Sequence, residues 1–392
     1  MSSKSKATAM KSDSKPALTP KLRFPEFRDA AEWEEKSLAQ ICDRITNGKA
    51  NAQDHEEDGE YPLFDRSAVI KRSNDFMFDG EAVILPGEGM RFVPKIFRGK
   101  FNLHQRAYAL MEHQGDARFV YHSLDYLQDS LAKKAVKSTV LSLRLPIVEN
   151  FEIGYPKPPE QEKIADCLTS VDELIAAQAR KVDALKSHKK GLMQQLFPRE
   201  GKTQPSLRFP EFRDAGEWEQ ETVEEIISTI TPPKKLQTAD YQPAGEFPIV
   251  DQSQNYICGW TNDSEGVIEE GLPVIVFGDH TCALKFIDHP FVQGADGIKI
   301  FKPKRAIDVR FLFCALEANP VVPESYKRHF SMLKEKTLSF PDPKSGEQQR
   351  IADCLTSLDD YIAAQIQNLD ALRTHKKGLM QQLFPSVEEA DT

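Results

Sequence analysis

No apolar run in the sequence approaches the ~20 residues needed to cross a bilayer, which excludes a helical membrane bundle. There is no Walker A loop, no dinucleotide fingerprint and no HExxH pair. The six cysteines, at 42, 167, 258, 282, 314 and 354, form neither a CxxC pair nor a dense framework, as suits a reduced, cytoplasmic chain. Charge of one sign is also scarce. Against 51 Lys and Arg stand 60 Asp and Glu, a net of -9, which rules out a histone-like chain that holds nucleic acid by bulk charge. With 40% hydrophobic and 28% charged residues, neither wholesale disorder nor collagen is in question. The 392 residues suggest two or three domains at ~150 residues each.

Several fragments resemble sites without completing them. TPPKK (231–235) lacks the polar residue and the aromatic of an amino-methyltransferase loop, and no glycine-rich cofactor loop accompanies it. PDPKSGEQ (341–348) has no acid-x-Lys pair to make a nuclease. Cys258, His280, Cys282 and His289 fit no usual metal-ligand spacing. No catalytic residue, metal ligand or bound cofactor is therefore expected, and a binding and positioning role follows.

What is present is repetition. Leu22–Glu34, LRFPEFRDAAEWE, returns as Leu207–Glu219 with one difference in thirteen. Glu160–Pro198 returns as Glu347–Pro385 with 28 identities in 39. Between these markers, 35–159 and 220–346 share only faint echoes, such as YPLFDRS (61–67) with FPIVDQS (247–253). A preserved frame with divergent inserts suggests common mechanics and different targets. Residues 1–21, with five Lys and one Asp, read as a disordered basic leader without the apolar core of a secretory signal; brushing nucleic acid is the other reading.

The repeated long segments are expected to be helices. Ile164, Leu168, Val171, Ile175, Gln178, Val182, Leu185, Lys189 and Leu192 follow steps of 4 and 3, as do Ile351, Leu355, Leu358, Ile362, Gln365, Leu369, Leu372, Lys376 and Leu379. That rhythm is a coiled-coil seam. Ala176, Ala177, Ala363 and Ala364 are expected to widen its apolar face, while the seam Gln and Lys trade stability for register. Prolines precede each segment, and Pro198 and Pro385 stop them. About 34 residues at ~1.5 Å each make a rod of roughly 50 Å. Each rod is too thinly apolar to stand alone. Antiparallel pairing with the other is the simplest solution; packing on its own domain, on another subunit, or in a four-helix assembly stays open.

The variable domains read as α/β or α+β, with short buried strands at Val83–Pro86 and Val274–Phe277 and helices near 118–136 and 309–318. Tyr61–Leu110 carries eight Lys or Arg against five acids, a local excess suited to an anionic contact. The second domain offers Lys285, Lys299, Lys302, Lys304, Arg305, Lys327, Arg328, His329 and Lys334, with Asn255 and His280 beside strands.

RFPEF (23–27, 208–212), PKPPEQEKIADCL (156–168), EQQRIADCLTSLD (347–359), the duplicated KKGLMQQLF (189–197, 376–384) and the FGDH and GADGI segments resemble the specificity subunit of type I restriction–modification enzymes, over nearly all the chain after residue 20. The resemblance implies two target recognition domains separated by a long antiparallel two-helix coiled coil, with a pseudo-two-fold internal repeat. The chain then divides into a disordered basic leader at 1–21, outside the resemblance, a first recognition domain at 22–159, a first spacer helix at 160–198, a linker and second recognition domain at 199–346, a second spacer helix at 347–385, and a tail at 386–392. Each domain would read one half of an asymmetric split sequence in double-stranded DNA, facing a major groove, and the helices would set the gap. Two modification subunits would bring S-adenosylmethionine for adenine methylation, and restriction subunits would use ATP and Mg²⁺; this chain would bind none of these. Assigned by charge and position, the candidate DNA contacts are Lys71, Arg72, Arg91, Lys95, Arg98, Asn255, His280, Lys285, Arg328 and His329. The helix seam would comprise Ile164, Leu168, Val171, Ile175, Val182, Leu185, Leu192, Ile351, Leu355, Leu358, Ile362, Leu369, Leu372 and Leu379. The alternatives are a free-standing bipartite DNA-binding or architectural protein, which needs no methyltransferase, and a coiled-coil protein scaffold, whose function survives charge reversal at Lys71, Arg72 and Arg91.

Overall fold

The computed structural model describes residues 18–385, apart from 138, 200, 296 and 325–327. The tail at 386–392 and the leader up to residue 17 lie outside the described residues. The chain divides into two compact units, Met1–Gln178 with Asn368–Thr392, and Ala179–Gln367. The architecture is mixed α/β: several sheets and two long helices.

In the first unit a six-stranded sheet is built from β1 (Cys42–Asn47), β2 (Tyr61–Phe64), β3 (Lys71–Ser73), β4 (Phe78–Pro86), β5 (Lys95–Leu103) and β6 (Ala107–His113) in the order β1-β6-β4-β5-β2-β3. β4 pairs antiparallel with β5 on one edge and with β6 on the other. A tight turn, in which the Ala107 amide donates to the His104 carbonyl at 3.0 Å, joins β5 directly to β6. Yet the end of β5 faces Phe78 and the start of β6 faces Pro86, at opposite ends of β4. The sheet meets this by curling round an apolar cluster that includes Phe64, Phe78, Ile84, Phe101 and Met111. β4 is longer than its apolar run suggests, because Asp79–Glu81, more exposed, belong to the strand between buried Phe78 and the buried run Ala82–Pro86.

Helix α1 (Ala117–Tyr126) lies over this sheet and is capped by Asp116, whose side chain accepts from the Arg118 amide. The long helix α2 (Pro158–Leu196) then begins at its proline. In the second unit one sheet has the order β7-β14-β11-β12, from β7 (Ile227–Ile230), β11 (Val274–Gly278), β12 (Leu284–Ile287) and β14 (Ile298–Pro303). Another has the order β9-β8-β13-β10, from β8 (Phe247–Val250), β9 (Gly259–Thr261), β10 (Val267–Ile268) and β13 (Phe291–Gln293). Helix α3 (Val309–Ala318) and the long helix α4 (Glu347–Leu383) follow.

The repeated sequences explain how each domain is fastened to a helix start. Arg23 reaches the first-turn Glu160 of α2 through two hydrogen bonds, Nε to Oε1 at 2.8 Å and Nη2 to Oε2 at 2.7 Å. Arg208 does the same to Glu347 of α4, both at 2.7 Å. A forked guanidinium matches a carboxylate, and a carboxylate at a helix N-terminus is favoured by the helix dipole. The adjacent glutamines complete the joint. Gln161 Oε1 accepts from the Asp116 amide and its amide donates to the Pro156 carbonyl; Gln348 repeats this with Asp308 and Pro341.

Within each unit the two long helices run antiparallel. In the first, Ile164, Ala165 and Leu168 of α2 share a core with Met380, Leu383 and Phe384 of α4. In the second, Met193, Leu196 and Phe197 of α2 share one with Ile351, Ala352 and Leu355 of α4. Among the seam positions Ile164, Leu168, Val171, Val182, Ile351, Leu355, Ile362 and Leu369 are buried, and Ile175, Leu185, Leu192, Leu358, Leu372 and Leu379 are half-buried. Ala176, Ala177, Ala363 and Ala364 differ from expectation: they are exposed, so the apolar face stays narrow in mid-helix.

Candidate nucleic-acid interface

In the first domain β2 ends at Phe64, opposite Leu103 of the parallel strand β5. Asp65 then turns the chain. Its Oδ1 accepts from the Ser67 amide at 2.8 Å and from the Ser67 hydroxyl, an Asx turn. Its Oδ2 lies 2.8 Å from Lys71 Nζ. Burial raises the Asp65 carboxyl, but the bonds from Lys71 and Ser67 outweigh it and hold the pKa below the ordinary range. From β5, the Lys95 ammonium donates to the Ser67 carbonyl at 2.7 Å and to the Asp65 carbonyl at 3.4 Å. Burial pulls the pKa of this lysine down, against the attraction of Asp65.

The second domain repeats the device. β8 ends at Val250, opposite Gln293 of the parallel strand β13. Asp251 Oδ1 accepts from the Ser253 amide at 2.8 Å and from the Cys258 thiol at 2.7 Å. From β12, the buried Lys285 donates to the Asp251 carbonyl at 2.8 Å and also to that of Asn255. Burial lowers its pKa too. The loop is hemmed in further by Gly297, which has a φ of 104° and approaches so closely that a Cβ would sit 2.8 Å from the Gln252 side chain. Two domains with little sequence in common thus hold the loop after an equivalent strand by the same Asp-x-Ser turn and the same strand lysine.

Each pinned loop ends in exposed side chains. Loop 65–71 presents Arg66, Val69 (76% exposed) and Ile70 (49%). Loop 251–258 presents Gln254, Asn255 and Tyr256, the last anchored by its hydroxyl to the Phe286 carbonyl at 2.6 Å. The Arg66 side chain makes no hydrogen bond or ion pair among the described residues, nor do those of Arg91 and Arg98, both exposed. Beside the first loop the His104 amide donates to the Phe64 carbonyl, and Arg106 pairs with Glu88.

The candidate contacts therefore fall into two groups. Arg72, Arg91, Arg98, Asn255 and Arg328 lie on the surface, Arg72 also donating to the Gly59 and Glu60 carbonyls. Lys71, Lys95, Lys285 and His329 turn inward. The His329 ring is fully buried, with Nδ1 donating to the Asp279 carbonyl at 3.0 Å and Nε2 accepting from the Glu324 amide at 3.0 Å. His280 is half-buried in the loop that follows β11. Lys327 lies outside the described residues. Charge pattern alone points to neither Gln254 nor the aliphatic pair Val69–Ile70; the echo of DRS in DQS marks where each loop begins, aligning Arg66 with Gln252, and stops short of them.

Among the described residues no group of three or more His, Cys, Asp or Glu side chains is placed to hold a metal ion, and no helix is long and apolar enough to cross a membrane.

Residues 30–187 match the family described as "Type I restriction modification DNA specificity domain". The chain is 29% identical over 140 residues to the specificity subunit of the type I restriction enzyme EcoDI of Escherichia coli, covering 36% of this chain and 31% of that protein. It is 24% identical over 410 residues to the specificity subunit of the type I restriction enzyme MjaVIII of Methanocaldococcus jannaschii, covering 93% of each. The first match thus spans under a third of its relative, whereas the second runs nearly end to end. Among solved structures, the S subunit of a type I restriction–modification system from M. genitalium has the same fold, with a TM-score of 0.63 at 16% identity over 95% of this chain and 100% of that one.

Proposed function

We propose, for a chain that belongs to the specificity subunits of type I restriction–modification enzymes, that it reads an asymmetric split sequence in double-stranded DNA and so directs adenine methylation and restriction by partner subunits. The observation that carries this reading is the doubled loop device with unlike tips. A lysine–carbonyl clasp holds Arg66, Val69 and Ile70 in one domain and Gln254, Asn255 and Tyr256 in the other. Similar frames with different tips suit two readers of different half-sites.

The recognition domains, 22–159 and 199–346, would each meet a major groove, and the helices at 160–198 and 347–385 would set the interval between them. Positive side chains on phosphates fix position, while base edges give specificity. Within the candidate set, Arg72, Arg91, Arg98, Asn255 and Arg328 are best placed to touch DNA directly. His280 belongs to the same set, and Lys71, Lys95, Lys285 and His329 serve it by holding loops. Two modification subunits would supply S-adenosylmethionine, and restriction subunits would supply ATP- and Mg²⁺-dependent action, in the cytoplasm. Single-molecule mapping of adenine methylation in host DNA, with and without this gene, tests the reading. A gene-dependent motif of two unequal halves supports it; a methylation pattern indifferent to the gene overturns it.

A further inference from the structure

A rigid loop with unpaired polar and aliphatic side chains at its tip is costly unless something covers it. Solvated arginines are common on surfaces, but two aliphatic side chains exposed next to one on a clasped loop are not explained by solubility. The clasp itself withdraws a lysine amine from water, wholly at Lys285 and partly at Lys95, a penalty that recurs in both domains. In both, the ammonium meets backbone carbonyls, so it holds the loop's shape rather than presenting charge outward. The Asp-x-Ser turn and the lysine clasp recur in both domains, while the exposed tips differ. Arginine forks match the O6 and N7 edge of guanine, amide side chains match the N6 and N7 edge of adenine, and aliphatic groups contact the thymine methyl.

We propose that loops 65–71 and 251–258 are the base-reading elements of the two domains. Arg66 takes a guanine edge with Val69 and Ile70 against a neighbouring thymine methyl, and Gln254 and Asn255 take an adenine edge. Lys95 and Lys285 are positioning residues that keep the tips rigid. Asp65 does not repel the DNA backbone, because Lys71 and the Ser67 hydroxyl already occupy its oxygens. This inference rests on the half-site reading above and names its determinants.

The test is methylation mapping in cells that carry the full chain with its modification subunits. The wild-type chain must first return a split motif, and its failure to do so would count against the function rather than against these loops. With Arg66→Ala, discrimination at one guanine of one half-site falls about 5- to 150-fold, as loss of a bidentate base contact implies, while the other half-site is read unchanged. With Gln254→Ala and Asn255→Ala together, an adenine of the opposite half-site is relaxed instead. Lys344→Ala, at an exposed lysine outside both loops and outside the candidate DNA contacts, leaves both motifs intact. Lys95→Met blurs the same positions as Arg66→Ala, with several bases accepted. Variants that keep both half-sites unaltered, or that lower methylation equally at every site, would overturn the proposal. Since Arg66, Gln254 and Asn255 are exposed, misfolding does not mask the result.

Discussion

Lys376, near the end of the second long helix, places its ammonium 2.8 Å from Asp172 Oδ1 on the first, and 3.1 Å from Asp125 Oδ2 on α1. Its counterpart Lys189 does the same with Asp359, at 2.7 Å, and with Glu317 on α3, at 3.3 Å. In each unit one lysine thus ties both long helices and a recognition domain together. Burial works against the charge, but the two carboxylates outweigh it, and the pKa of both lysines is raised.

Replacing Lys376 with Met should therefore destabilise the first unit by about 3 kcal/mol, the lower end of the range for stripping one partner from a buried pair, since Asp172 keeps part of its surface in water. Adding Asp125→Asn and Asp172→Asn should recover part of the loss. Urea denaturation of the single and triple variants checks this; an unchanged midpoint for Lys376→Met would remove the tie.

The paired arginine forks lend themselves to a second comparison. Arg208→Ala leaves Glu347, which is buried, without its cation and should cost about 3–5 kcal/mol. Arg208→Lys keeps the charge but loses the two-pronged geometry and should fall between. Thermal unfolding of the three chains gives the order, and equal loss from both substitutions would mean the fork geometry is irrelevant.

Gly191 and Gly378 sit inside the long helices, where a Cβ would meet nothing within 4 Å. Each change to Ala should stabilise by about 0.5–1 kcal/mol by removing the conformational entropy glycine loses on folding. Calorimetry on the double variant should show a higher unfolding temperature, with the methylation motif unaltered; a lower temperature would contradict the open space seen there.

Acid should weaken the first unit through two histidines. Burial lowers the His113 pKa to about 4, with Asp116 opposing. Burial, aided by Lys376 and Arg118 against Asp116, lowers that of His122 to about 3. The groups facing His122 include Asp172, Tyr121 and Thr169, the last 3.2 Å from its Nε2. Both rings fold neutral, while in the unfolded chain they protonate near 6.5. Their contribution is whole above pH 6.5 and is lost as pH falls toward 4 for His113 and 3 for His122. Each adds a slope of up to about 1.4 kcal/mol per pH unit in its window. His122→Gln should flatten the stability curve between pH 6 and 4, on the order of that slope; an equally steep curve would show that other groups govern it.

Sequence and structure agree best where one pattern runs long. The 4-3 rhythm from Ile164 to Leu192 marks a helix because so many positions repeat one step, and the helix is found. The exposed alanines at 176 and 177 escaped that logic, since small apolar residues fit a solvated helix face as readily as a buried one. The repeats at Arg23 and Glu160 were visible, yet their pairing across 137 residues was not, because duplication does not say which marker touches which. The site was less legible still. Charge and position point to Lys95 and Lys285 as outward cations, whereas the direction of a strand side chain decides whether it meets solvent or a neighbouring carbonyl. His329 shows the same limit: beside Arg328 in a basic run, it points inward to Asp279.

If the long helices set the distance between two half-sites, lengthening both should widen the gap. Seven residues inserted at both unit boundaries, after Gln178 and after Gln367, preserve the helical seam rhythm and the contacts inside each unit. They lengthen each helix by about 10 Å, up to about three base pairs of duplex. Methylation mapping should then return the same two half-sites with a wider gap. Methylation at an unchanged gap would contradict that role of the helices.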